Sequence, residues 1–129
     1  MEKLALLLVT NLAFAQIQEP QITPEILAQK QLEGYNARDT DAFLEPYADD
    51  VEIYNFPNTL RLKGKDDMRK SYDAYFKKTP NLHCELKNRL IQGNTVIDKE
   101  YITGVNQPFE AIAIYQIENN KIKKVYFIR

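Results

Sequence analysis

Phe109-Glu110-Ala111-Ile112-Ala113-Ile114-Tyr115-Gln116-Ile117-Glu118, then Asn119-Asn120, then Lys121-Ile122-Lys123-Lys124-Val125-Tyr126-Phe127-Ile128, is the stretch on which the fold turns. Apolar side chains recur with a period of two on both sides of the asparagine pair. Asn tolerates the positive φ that a two-residue turn demands, so the stretch predicts an antiparallel hairpin. The same period governs Leu82 to Gln92 and Thr95 to Thr103, joined at Gly93-Asn94, and Asn106-Gln107-Pro108 forms a longer connection into Phe109. Lys121, Lys123 and Lys124 read as the lysines of a protected edge strand.

Before Pro80 the period lengthens to that of a helix. Gly64 precedes Lys65 to Lys78, with Asp66 and Asp67 in the first turn, Lys77 and Lys78 in the last, and Met68, Tyr72, Tyr75 and Phe76 on one face. Thr23-Pro24-Glu25 opens another helix that runs to about Ala37 and stacks Leu27, Gln31 and Tyr35. Asp39 begins a shorter helix carrying Phe43, Leu44 and Tyr47, limited by Pro46. Val51 to Phe56 is a strand stopped by Pro57-Asn58. Helices segregated from strands mean α+β: a curved antiparallel sheet packed against three N-terminal helices, with a hollow between the layers. Leu27, Tyr35, Phe43, Met68, Tyr72 and Phe76 are expected to face that sheet.

Composition narrows the function classes. The 129 residues suit one domain, and 17 basic against 18 acidic residues leave a net charge of −1, which argues against nucleic acid as a partner. A single cysteine, Cys84, and a single histidine, His83, exclude an intrachain disulfide and a Cys/His zinc cluster. Asp39, Asp49 and Asp50 read as a helix cap and turn formers, not as metal ligands. No metal and no cofactor is expected. No apolar run reaches the roughly 20 residues that span a bilayer. Leu4 to Val9 is apolar, and Ala13-Phe14-Ala15 is a cleavage pattern before Gln16. Residues 1–15 therefore read as a signal peptide, 16–22 as a linker and 23–129 as the domain, which predicts a secreted or periplasmic protein.

Asn36-Ala37-Arg38-Asp39, Tyr47-Ala48-Asp49-Asp50-Val51, Gly64 at the head of its helix and the final hairpin resemble the nuclear-transport-factor-2-like superfamily, which includes SnoaL-like polyketide cyclases and ketosteroid isomerases. The resemblance covers about Pro24 onwards. It implies a cone-shaped α+β domain with an internal pocket, and a fold that serves isomerases, cyclases, hydrolases and non-catalytic modules alike. Ketosteroid isomerases use an Asp base, with a Tyr and a protonated Asp as oxyanion donors. The resemblance places those roles at Asn55, Gln31 and Ala113, so all three groups are missing here. The strand from Phe109 to Tyr115 likewise lacks the Asp that a SnoaL-like cyclase would present.

Other polar groups remain. His83, Glu85, Lys87 and Arg89 alternate along one strand, Asp98 and Glu100 along the next, and Arg89 should approach Asp98 across the hairpin. The plainer expectation is a charge ladder on a solvated or dimer-facing side, with Cys84, Leu86, Asn88 and Leu90 turned to the core. The sharper one pairs His83 with Glu100 as acid and base, and Tyr35 is a third catalytic candidate. Gln31, Tyr35, Asn55, Tyr72, Ala113 and Tyr115 are the expected ligand-binding set.

Three readings are open. The chain is a pocket protein for a small apolar or amphipathic molecule; or an enzyme of isomerase, cyclase or hydrolase type with unusual acid–base groups; or a dimeric interaction module with a filled pocket. A buried carboxylate with a raised pKa favours the second. A pocket filled by Tyr35, Tyr72 and Phe109 favours the third. A homodimer is expected in any case, because Ile112 and Ile114 would form an apolar patch on the outer face of the sheet.

Overall fold

The computed structural model describes residues 21–129. The expected signal peptide and most of the linker lie outside the described residues. Helix α1 spans Pro24–Ala37. Thr23 caps it, accepting from the Ile26 N–H at 3.2 Å, and Pro24 occupies the first turn. Helix α2 is Thr40–Leu44, capped by Asp39, which accepts from the Ala42 N–H. Gly34 lets the two helices touch: a Cβ there would lie 2.4 Å from the Phe43 backbone nitrogen. Strand β1, Tyr47–Asn55, follows at once, so Tyr47 begins a strand and does not end a helix. Asp49 and Asp50 lie inside that strand rather than in a turn before it. A second strand, β2 at Thr59–Lys63, was not expected; it folds back on β1 beyond the Pro57-Asn58 break. Helix α3 covers Lys65–Lys78.

Four strands complete the sheet: β3 His83–Gln92, β4 Thr95–Thr103, β5 Phe109–Glu118 and β6 Lys121–Ile128. Asn119 and Asn120 both take positive φ in the β5–β6 turn, as does Gly93 between β3 and β4. The strands are ordered β2-β1-β6-β5-β4-β3 in one curved, unclosed sheet, and every neighbouring pair is antiparallel except β1 with β6. That parallel contact makes the sheet mixed, and it arises because β1 leaves the helices in the direction β6 runs. It also makes β6 a central strand, which corrects the edge-strand reading of its lysines. Lys121, Lys123 and Lys124 instead pair with Glu45, Asp50 and Glu52 on the α2–β1 side.

The concave face of the sheet packs on the helices. Leu27, Phe43, Met68 and Phe76 are buried there, with Tyr35 and Tyr72 half-buried against them. Phe43 stands at the centre of an aromatic cluster, 4.6 Å from Tyr72, 5.3 Å from Tyr47 and 5.6 Å from Phe76, measured between ring centroids. Asn36 ties α1 to the edge strand β3, accepting from the Cys84 N–H at 2.7 Å and donating to the Cys84 carbonyl at 3.0 Å. Arg38 donates to the Leu82 carbonyl nearby at 2.8 Å. The Asn36–Asp39 motif is thus a docking device that satisfies strand backbone groups otherwise open at a sheet edge.

Candidate functional site

Strict alternation along β3 fails at one point. Leu86 pairs with Glu100 but Asn88 pairs with Lys99, so two β3 residues face one on β4. Lys87 is the extra residue of a β-bulge, and the bulge reverses the parity of every later residue on the strand. Cys84 and Leu86 point to the concave face as expected; Asn88 and Leu90, expected beside them, point outwards and are exposed. Arg89 turns inwards instead. The charge ladder expected on a solvated side is therefore corrected: Asp98 and Glu100 are buried on the concave face, Asp98 completely. The expected approach of Arg89 to Asp98 does occur, but in the interior. Nε and Nη2 of Arg89 donate to the two carboxylate oxygens at 2.7 and 2.9 Å, and Nη1 donates to Gln29 on α1 at 3.1 Å.

Glu100 has no such cation of its own. Burial, and then the charge of Asp98 two residues away, push its pKa from 4.5 up to about 7. The neighbouring Cys84 thiol and Tyr115 hydroxyl, and the Arg89 charge, moderate the shift. A relay from the helices leads to the same place. The Tyr47 hydroxyl donates to Gln31 Oε1 at 3.0 Å, and Gln31 Nε2 donates to the Tyr115 hydroxyl at 2.9 Å and to the Ala28 carbonyl at 3.1 Å. Burial holds the phenols of Tyr35, Tyr47 and Tyr115 and the thiol of Cys84 well above their ordinary pKa values, and Tyr72 is pushed up to about 12. These groups are neutral donors at physiological pH, which leaves Glu100 as the proton-exchanging group among them.

The residues singled out from the sequence divide between two surroundings. Gln31, Tyr115 and Ala113 are buried on the concave side together with Glu100, Ala113 sitting opposite Asp98 in the β4–β5 register. Tyr35 and Tyr72 belong to the aromatic cluster around Phe43. Asn55 is exposed at the end of β1, and His83 is exposed opposite Thr103, on the other face from Glu100, so the His83–Glu100 pair does not form. Phe109, the third residue of the filled-pocket reading, lies under the Arg129 guanidinium at 3.6 Å. Leu86, Phe109 and Phe127, which share the concave face with Glu100, are only half-buried and form an apolar margin beside it. Asp98 was the residue that sequence reasoning undervalued. Its signal was the D-x-E spacing Asp98-Lys99-Glu100 inside an otherwise apolar inward row of Val96 and Ile102. Among the described residues no group of three or more His, Cys, Asp or Glu is placed to hold a metal ion.

A curved, unclosed sheet wrapped on three helices, with polar groups gathered on its concave face, defines the nuclear-transport-factor-2-like class. Within it, residues 28–125 match the model of the SnoaL-like domain, and the chain belongs to that family. Solved structures agree. An uncharacterized cystatin-fold protein from Novosphingobium aromaticivorans is 27% identical, with a TM-score of 0.80 over 84% of this chain and 100% of that one. An NTF2-like protein of unknown function from Cytophaga hutchinsonii is 17% identical, with a TM-score of 0.71 over 86% and 93%. A SnoaL-like protein of unknown function from Burkholderia thailandensis is 19% identical, with a TM-score of 0.72 over 86% and 98%. Further similar folds bear the provisional designations polyketide cyclase, ketosteroid isomerase and hydroxylase. No curated protein gives a significant match.

Proposed function

We propose that this SnoaL-like protein moves a proton on a small apolar or amphipathic organic molecule held against the concave face, with Glu100 as the acid–base group. One observation carries the reading: a carboxyl buried on the concave face, without an ion-pair partner among the described residues and with its pKa raised by burial, stands beside phenol and thiol groups and an apolar margin. The chemistry is not that of the ketosteroid isomerases. Gln31 is committed to two tyrosine hydroxyls, Asn55 is exposed and Ala113 donates nothing, so no β,γ-unsaturated ketosteroid is turned over by that route.

Mass spectrometry of small molecules released from the purified protein identifies the ligand class. Incubation of that ligand with the protein in D2O then reads proton transfer directly, as deuterium incorporation at carbon. Glu100→Gln lowers the rate of incorporation about 10²–10⁴-fold. Equal rates in both proteins would defeat the reading.

A second reading, a dimeric interaction module with a filled interior, is supported by the Phe43-centred cluster that occupies the space between the helices. It predicts no released ligand and no exchange. Pairing of two copies through the outer face of the sheet is proposed under either reading. Export is proposed as well, on the Ala13-Phe14-Ala15 pattern; a mature protein starting at Gln16 would establish it.

A further inference from the structure

Two carboxyls two residues apart on one face of a buried strand repel each other, and a site that uses one of them needs the proton assigned to a particular member. Here the assignment has a geometric cause. Arg89 closes a bidentate pair on both oxygens of Asp98, at 2.7 and 2.9 Å, while its third nitrogen is fixed to Gln29. Among the described residues no cation closes on Glu100, which is buried on the same face with the neutral Tyr115 and Cys84 as neighbours. Arg89 reaches this position because Lys87 is bulged; in an unbroken strand the side chain at position 89 would share the outward face of Glu85 and Lys87.

We propose that Arg89 and Asp98 are a positioning pair that leaves Glu100 as the proton-exchanging carboxyl of the concave face, and that the bulge at Lys87 delivers Arg89 to that task. This rests on the reading of Glu100 as the acid–base group. The charged and titratable groups that face Glu100 or its pair are Cys84 and Arg89 from β3, Asp98 from β4, Tyr115 from β5, Tyr47 from β1, Tyr72 from α3 and Glu25 from α1. Among the described residues, Asp98 is the only acid of this set adjacent to Glu100 on its own strand, and Arg89 the only cation in contact with either carboxyl.

The test is a titration of side-chain carboxyl 13C resonances in the full chain, which reports proton occupancy whether or not a substrate is known. In the unaltered protein a step near neutrality belongs to Glu100. Asp98→Asn removes the neighbouring charge and frees the guanidinium, and moves the Glu100 midpoint toward acid by about one pH unit. Arg89→Gln turns the single step into two coupled steps shared by both carboxyls, and Arg89→Lys, which keeps the charge, restores a single Glu100 step. The absence of a neutral-range Glu100 step in the unaltered protein, or a Glu100 midpoint unmoved by Asp98→Asn, would overturn the proposal. The assignment in the unaltered protein decides the matter even where a variant does not fold. Deuterium incorporation unaffected by Glu100→Gln, with the titrations behaving as described, would defeat the proposed function and leave the positioning pair standing.

Discussion

Gln31 of α1 donates to the hydroxyl of Tyr115 on β5 at 2.9 Å, across a sequence distance of 84 residues, while accepting from Tyr47 at 3.0 Å. One amide therefore fixes two buried phenols, and Tyr115 is one of the groups that set the surroundings of Glu100. The glutamine is a structural member of the site, not a weakened stand-in for a tyrosine acid.

Gln31→Leu keeps the volume and removes the amide. Two buried hydroxyls then lose their partner, and each unsatisfied group costs about 1–3 kcal/mol. The variant is expected to unfold at lower urea concentration with an unchanged denaturant slope. An unchanged midpoint would mean the phenols find other partners.

Stability should depend on pH through Glu100. Its folded pKa is raised from 4.5 to about 7, so the folded state holds the proton more tightly than the unfolded chain does. That contribution is fully present below about pH 4.5 and is lost as pH rises toward 7. At about 1.4 kcal/mol for each pH unit, the loss is of the order of 3 kcal/mol. Glu100→Gln cannot ionise. Unfolding free energies measured at pH 5 and pH 8 should diverge in the parent and converge in the variant.

Gly34→Ala reverses the usual sign for a helix. An exposed helical Gly→Ala change stabilises by about 1 kcal/mol. Here the new methyl meets the Phe43 backbone at 2.4 Å and the Ala42 carbonyl carbon at 2.7 Å, and backbone cannot step aside as a flexible side chain would. A lowered melting temperature is expected, with the aromatic cluster around Phe43 disturbed in the near-ultraviolet dichroism. A raised one would mean α1 and α2 separate freely.

The outer face of the sheet carries an apolar row. Leu90, Ile97, Ile114, Tyr126, Tyr54 and Leu60 stand in register across all six strands, with Leu90 62% and Leu60 49% exposed. Tyr54 and Tyr126 stack at 5.0 Å within it. A continuous row of this kind is the sort of surface a second copy covers. Sedimentation at tens of micromolar, roughly the range that suits a standard interface, should show a dimer, and Ile114→Lys should yield monomer without loss of fold. A monomeric parent would refute the dimer.

Local chemistry made much of this molecule readable in the sequence. Thr23 and Asp39 cap the helices they precede, because their side-chain oxygens accept first-turn N–H groups that have no partner within the helix. Asn119-Asn120 and Gly93 make their turns because positive φ restricts the residues that fit, and the four later strands fall where period two placed them. The family motif at Asn36 to Asp39 was visible too, although its work of holding Cys84 and Leu82 backbone groups was not.

Three decisions belonged to the tertiary structure. The parallel meeting of β1 and β6 depends on chain direction over some seventy residues, which no local period encodes, and it converted an expected edge of lysines into an interior strand with acids alongside. The five residues of β2 have four exposed positions and so no buried face to announce them; they pair because β1 offers an edge. The bulge at Lys87 mattered most. A single extra residue reverses every side chain after it, so alternation read from the sequence sent Arg89 outwards and left Asp98 and Glu100 on a solvated ladder. Only the folded register, with Arg89 against Asp98 and Tyr115 against Glu100, turns those same residues into a buried acid site, since a charge on a strand has no fixed side until its partner strand gives it one.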